Sequence, residues 1–148
     1  MIWERPPYRI SDQASDLDFD AVHGFLVSSY WARGIPRATA ERSIRHSLSF
    51  GLFHGERQIG FARAVTDRAT FAYLADVFVA EDERGRGLGA WLVETVMAHP
   101  ELKGLRRWLL ATRDAHPLYR RFGFKAVADP SIFMTIHDPD IYTRGNPS

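Results

Sequence analysis

The segment Val77-Phe78-Val79-Ala80-Glu81-Asp82-Glu83-Arg84-Gly85-Arg86-Gly87-Leu88-Gly89-Ala90-Trp91-Leu92 constrains the fold more than any other part of this chain. An apolar, β-branched run enters a turn with glycines at alternate positions. The turn then opens a stretch whose Leu88, Trp91, Leu92 and Val96 recur at helical spacing. The pattern predicts a strand, a glycine turn and a helix. Glycine tolerates φ > 0, so such a turn can aim several backbone N–H groups at one point, and a helix N-terminus adds about half a positive charge. Phosphate binds there readily, and Arg84 and Arg86 strengthen the attraction. A plain connector with exposed arginines is the blander reading; strand, alternate glycines and amphipathic helix together speak against it.

The turn is preceded by residues 50–79, β-branched and aromatic runs broken at His54-Gly55-Glu56 and Asp67-Arg68-Ala69, which predict three antiparallel strands. Ahead of them lie two helices. The first, over 18–31, has Phe19, Val22, Phe25, Leu26 and Tyr30 at helical spacing behind a run of acids; the second opens at Pro36, carries Ala40, Ile44 and Leu48 on one face and ends near Ser47. After the turn come a helix over 88–98, a strand over 107–111, and a helix bearing Ala115, Leu118, Tyr119 and Phe122, capped by Asp114 and stopped by Gly123. Residues 124–127 and 131–136 read as two short strands. The order β-α-α-β-β-β-α-β-α-β-β predicts a mixed α/β (α+β) domain with an antiparallel first half. One domain is expected over 1–148, with its core at about 8–142 and loose ends at 1–7 and 144–148.

Composition narrows the chemistry. A chain of 148 residues without an apolar run of 18 or more suits one globular core, and its N-terminus lacks the plan of a secretory signal, so a cytoplasmic protein is expected. With no cysteine there is no disulfide, thiolate zinc site or cysteine nucleophile. Net charge is only +1, yet residues 84–125 hold 9 Lys/Arg against 3 Asp/Glu. One basic stretch on a balanced chain matches a local polyanion such as a phosphate-bearing cofactor better than nucleic acid or a membrane, although a solvated basic face would look the same. The six histidines show no metal-ligand spacing, so no metal is expected, and His116 is notable only for standing one turn before Tyr119. Neither Gly-x-Ser-x-Gly nor the P-loop pattern occurs.

Two phosphate-binding motifs compete for the glycine turn. Gly85-x-Gly87-x-x-Ala90 satisfies the dinucleotide fingerprint, but that motif belongs to the first βαβ unit of a parallel sheet, whereas this turn follows a meander and leaves too little chain for two mononucleotide-binding halves. The other pattern, Arg/Gln-x-x-Gly-x-Gly/Ala, is met by Arg84, Gly87 and Gly89. Here the sequence resembles the GNAT superfamily of acetyl-CoA-dependent N-acyltransferases. A second segment, Ala115-His116-Pro117-Leu118-Tyr119-Arg120-Arg121-Phe122-Gly123-Phe124, resembles that family's later motif, and the two together span almost the whole chain.

The resemblance implies a mixed, mostly antiparallel central sheet of about six or seven strands flanked on both faces by four helices. It implies acetyl-CoA as co-substrate and an amine, on a small molecule or a peptide, as acceptor, with a homodimer admitted as an assembly. The pyrophosphate would lie at Arg84, Gly85, Arg86, Gly87, Leu88 and Gly89, and the thioester would run along the backbone of Val77, Phe78 and Val79. Thr112 stands where the family usually has an asparagine beside the pantetheine arm, so less of that contact carries over. Tyr119 matches the tyrosine that serves the departing thiolate; without the motif it would read as a core aromatic. Asp76, a carboxylate within an apolar strand, is the candidate general base, against two alternatives: an ion-paired structural role with a partner such as Arg63, and proton transfer through water. Tyr30, Trp31 and Arg33 would border the acceptor, or simply cap the core. An acyl-CoA sensor on the same fold shares every cofactor residue and stays open beside the enzyme.

Overall fold

Short-range alternation in the first half of the chain closes into hairpins. The computed structural model describes residues 1–144, in the order β1 (Ile2–Arg5), β2 (Tyr8–Ser11), α1 (Phe19–Ser28), α2 (Arg37–Arg45), β3 (Leu48–His54), β4 (Arg57–Thr66), β5 (Phe71–Val79), α3 (Leu88–Met97), β6 (Arg107–Leu109) and α4 (His116–Arg120). The six strands form one sheet in which spatial order equals chain order. Pairing is antiparallel from β1 through β5 and parallel only between β5 and β6.

Local chemistry sets the boundaries. Asp18 caps α1 by accepting from the Ala21 amide at 3.1 Å. Pro36 caps α2, where its missing N–H does no harm. The β4–β5 turn is built on Asp67, whose carboxylate accepts from the Thr70 hydroxyl and from the amides of Thr70, Ala69 and Phe71; those bonds hold it well below the usual carboxylate range. Gly123, at φ +93°, lies just past α4.

Helices cover both faces. On one side Phe50, Leu52 and Ile59 pack with Leu92, Val93 and Val96 of α3; on the other, Phe61 packs with Val22 and Leu26 of α1 and Ala40 and Ile44 of α2. The sheet is thus buried from above and below, which leaves only its edges and ends for a ligand.

Four expectations need correction. Residues 1–7 are not a loose end: β1 pairs with β2, and Trp3 packs against Phe50, ring centroids 6.0 Å apart. The Pro6-Pro7 pair, read as part of a tail, is the turn of that hairpin. Leu48 opens β3 rather than ending α2, and it faces the α3 core while Ile44 faces the other, so their four-residue spacing does not mark one helix face. Asp114 is not the cap of α4; Ala115 holds that position, and its amide donates to Thr112 Oγ1 at 3.0 Å. Finally, 124–127 and 131–136 form no strand among the described residues. Only a short 3-10 turn, Pro130–Ile132, occurs there, because no neighbour pairs with them. Of the loose end expected at 144–148, residues 145–148 lie outside the described residues.

The sheet is also split. β5 pairs with β6 only through Phe71, Ala72 and Tyr73. Beyond Tyr73 that edge of β5 is open among the described residues, while its other edge continues along β4 to Val79. The β4–β5 register shifts between Phe61 and Arg63, and Asp76 sits in the bulge at φ +56°. A bulge bends its strand and increases the local twist, which accounts for β5 leaving β6.

Candidate functional site

The divergence of β5 from β6 opens a cleft of about 890 Å³. Val77, Phe78 and Val79 line one wall, Thr112 and Tyr119 the opposite one, and Arg84 and Gly89 lie at the turn end. An open strand edge presents unpaired amide and carbonyl groups, so the β5 wall can bond an extended ligand through its backbone.

The glycine turn has the shape its sequence requires. Gly85 and Gly87 adopt φ +83° and +75°, and a side-chain carbon at either would meet nothing within 4 Å, so the turn is open above both. Gly87 is the N-cap of α3 and makes no side-chain cap, which leaves the first-turn amides free for an incoming acceptor. A cradle with this backbone and no side chains over it fits a pyrophosphate. Arg84 Nε donates to the Val79 carbonyl at 3.0 Å and so ties the turn to β5. Arg86 points elsewhere: it donates to the Tyr8 hydroxyl at 2.8 Å and to Glu83 Oε1 at 2.9 Å. Glu83 also meets His54 Nδ1 at 2.7 Å and accepts from the Tyr8 hydroxyl at 3.2 Å. The buried Glu83 carboxylate therefore anchors the turn to β2 and β3, and the His54 bond holds it below the usual glutamate range although burial works the other way. Leu88 is buried as the first core residue of α3.

Across the cleft, Tyr119 is held by α4 with its ring edge-on to Phe124, 5.9 Å between centroids. Only 9% of the residue is exposed, and burial, with the Tyr30 hydroxyl nearby, pushes its own hydroxyl above the ordinary value of 10.0. That hydroxyl bonds no described residue, yet no buried side-chain oxygen lacks a partner among the described residues, so it reaches the opening. Thr112 lines the same wall, its oxygen engaged by the Ala115 amide.

Asp76 is fully engaged. Its Oδ2 accepts from Arg63 Nε at 2.9 Å and its Oδ1 from Trp31 Nε1 at 2.8 Å, with the carboxylate side chain 8% exposed. Arg63 also donates to Ser47 Oγ at 3.1 Å. The link runs from the loop after α1 to the bulge of β5, and it fixes Trp31 at the cleft mouth. Tyr30 lies beside Trp31 at 5.0 Å between ring centroids, and Arg113 stacks on Tyr30 at 3.7 Å. Arg33, expected with these two, is exposed and lies outside the cleft lining.

Phe25, Arg113 and His137 are among the lining residues that sequence reasoning did not place at the cleft. Phe25 stacks on Phe78 at 3.7 Å and was visible only as a core position of its helix. Arg113 follows Thr112 in the loop beyond the carboxyl end of β6, a region where ligands of α/β sheets commonly bind, and that placement was its available signal. His137 comes from the C-terminal stretch and had none. Among the described residues no group of three or more His, Asp and Glu is arranged around a metal position.

Comparison with known proteins assigns this fold to a family. Residues 8–124 match the acetyltransferase (GNAT) family, so the chain belongs to the GNAT family. A crystal structure from Xanthomonas campestris pv. campestris, provisionally described as a GNAT acetyltransferase, is 47% identical, covers 95% of this chain and 99% of its own, and superposes with a TM-score of 0.91. A Clostridium acetobutylicum structure described with acetyl-CoA shares the fold at 10% identity, with a TM-score of 0.64 over 93% of this chain and 96% of its own. A Gibberella zeae protein with a provisional acetyltransferase name is 29% identical over 112 residues, 62% of this chain and 63% of that protein.

Proposed function

We propose that this protein transfers an acetyl group from acetyl-CoA to a primary amine, on a small molecule or a peptide, by direct attack within a ternary complex, and that it does so as a homodimer. The observation that carries this reading is the open β5 edge running from the glycine turn to a point opposite the Tyr119 hydroxyl. The outer edge of β6, unpaired among the described residues, and the exposed apolar residues after it support the homodimer.

In this reading the pyrophosphate lies on the amides of Gly87, Leu88 and Gly89, with Gly85 shaping the turn, Arg84 holding it against β5, and Arg86 bracing it through Glu83. The thioester runs along Val77, Phe78 and Val79, where a backbone N–H donates to the carbonyl oxygen as it gains negative charge. The neutral amine enters past Tyr30 and Trp31; its nitrogen bonds the carbonyl carbon, and the carbon–sulfur bond then breaks. Tyr119 donates its proton to the leaving sulfur, for which a hydroxyl that burial keeps protonated is suited, and recovers one from solvent before the next turnover. The proton lost by the amine leaves through water, because both oxygens of Asp76 already accept from Arg63 and Trp31. Asp76 thus positions the bulge and Trp31. Arg113 and the Tyr30 and Trp31 rings favour an acceptor with a flat or anionic part.

Calorimetry with acetyl-CoA tests the site. Gly87→Glu adds bulk, negative charge and, at φ +75°, backbone strain at the N-cap of α3 and is expected to abolish binding; Gly89→Glu, which has no positive φ, adds the charge without that strain and is expected to do the same while the circular dichroism spectrum stays unchanged. Unaltered affinity would remove the pyrophosphate from this turn. Initial rates with an amine panel are expected to give intersecting lines; parallel lines would indicate an acetylated enzyme instead of direct attack.

A further inference from the structure

Most charges along the cleft are already answered within the protein. Arg63 and Asp76 cancel in their ion pair, and Arg84 sits at the glycine turn with its Nε on the Val79 carbonyl. His137 reaches the lining from the C-terminal stretch and is exposed. There remain Arg113 and Asp114, neighbours in the loop between β6 and α4 that line the same cleft. Neither enters an ion pair among the described residues.

Arg113 is nonetheless held in place. Its guanidinium lies over the Tyr30 ring, 3.7 Å from the centroid. Stacking occupies the flat face of the group and leaves its N–H edge, a planar fork that matches a carboxylate, open to a ligand. A stacked arginine without an ionic partner is thus preorganised for an anion, with less side-chain freedom to lose on binding. Its position decides which anion fits. Tyr30 carries its hydroxyl close to that of Tyr119, so a group on the edge of Arg113 lies beside the point where the acetyl carbon is attacked. Carboxylate and attacking nitrogen must therefore be close neighbours in the acceptor, as they are in a free amino acid and are not at a lysine side chain within a peptide. Asp114 narrows the choice further. A negative charge next to Arg113 opposes a doubly charged phosphate and suits the ammonium of a zwitterion. The adjoining wall is aromatic: Trp31 is 43% exposed and fixed by its indole N–H on Asp76 at 2.8 Å, and Phe25 lies 6.0 Å from it between ring centroids. Such a wall takes an apolar or aromatic side chain.

We propose that the acceptor is a free amino acid with an apolar or aromatic side chain, its carboxylate on the N–H edge of Arg113 and its side chain against Trp31 and Phe25. Arg113 is then the specificity-determining residue of the cleft. The ammonium first releases a proton to water. The neutral nitrogen bonds the acetyl carbon, the carbon–sulfur bond breaks with its electron pair going to sulfur, sulfur gains a proton, and the nitrogen gives its surplus proton to water. The products are an N-acetylamino acid and coenzyme A. The inference rests on the acetyl-transfer reading above and narrows its acceptor from primary amines in general to this class.

Initial rates of the full chain at saturating acetyl-CoA provide the test. Phenylalanine, leucine and tryptophan are each compared with the corresponding carboxamide and decarboxylated amine, beside phosphoethanolamine and a lysine peptide blocked at its N-terminus. The carboxamides have the less basic amines, a larger share of which is neutral, so they react faster wherever the carboxylate counts for nothing. The free acids are expected to exceed both kinds of analogue in kcat/KM by about 10- to 100-fold, the scale of hydrogen bonds to a charged group. Arg113→Met, at an exposed position, should erase that preference through KM while the decarboxylated amines stay within about twofold and acetyl-CoA affinity holds in calorimetry. Carboxamides, phosphoethanolamine or peptide preferred to the free acids would overturn the amino-acid assignment and leave acetyl transfer standing. Arg113→Met slowing every acceptor alike would do the same. A protein that binds acetyl-CoA and acetylates none of these amines would overturn acetyl transfer, and the assignment with it.

Discussion

Tyr119 combines a core ring with a hydroxyl at the cleft, and Tyr119→Phe separates the two. Ring packing survives, so melting and acetyl-CoA affinity should hold, while kcat falls by about 10²-fold, the usual scale of a lost general acid. Because burial raises this hydroxyl above 10.0, it stays protonated through neutral pH, and no loss of activity below that value should trace to it. Asp76→Asn tests the neighbouring assignment. Asparagine also tolerates the positive φ of the bulge, so the change removes charge more than shape. Breaking one side of a buried ion pair costs about 3–5 kcal/mol, and Arg63, at 17% exposure, places this pair toward the lower end. A lower melting temperature with an unchanged kcat–pH profile is expected; a profile that loses its acidic limb at normal melting would make Asp76 the base. Sequence exposed Asp76 as anomalous because a carboxylate in an apolar strand needs a partner. It named Arg63 as one, but it gave no sign of Trp31, 45 positions away, since that contact exists only once α1 packs on the sheet.

At the scale of elements, the bulged strand β5 and its neighbour β4 position the cleft, and at Gly60 there is no room between them for a side chain. A side-chain carbon at Gly60 would sit 2.9 Å from the Phe78 carbonyl oxygen, a backbone atom that cannot rotate away. Gly60→Ala should therefore destabilise by about 1–3 kcal/mol, the range for an overpacked core, and weaken acetyl-CoA binding by displacing the Phe78 backbone. Thermal melts and calorimetry on one preparation check both. The meander, α3 and the glycine turn were readable because their signals lie within a few residues of one another. β1 and the failed strands 124–127 and 131–136 were not, because strand formation depends on a partner edge that local alternation does not reveal. The site divides likewise: its cofactor side is one contiguous motif, whereas Phe25, Arg113 and His137 arrive from three separated segments.

Over the whole molecule, stability should depend on acid more than on base. His54 and Tyr8 hold Glu83 below its ordinary value, and Asp12, despite burial that raises it, is drawn below its own by the N-terminal ammonium and His99. A carboxylate depressed in the fold contributes stability above its unfolded pKa, near 4, and loses it as pH falls through the folded value. Melting temperature should thus stay level from about pH 7 to 5 and drop below about 4. Glu83→Gln should flatten part of that drop, and a decline beginning above pH 6 would assign it to histidines instead.

Strand order in space equals strand order along the chain, and this has a kinetic consequence. The β1–β2, β3–β4 and β4–β5 hairpins close short loops, so they can assemble early, even while the remainder of the chain is being synthesised. The parallel β5–β6 contact must wait for all of α3 and spans only three residue pairs. The meander is therefore the natural folding nucleus, and the opening between β5 and β6 is the last part of the sheet to acquire its second wall.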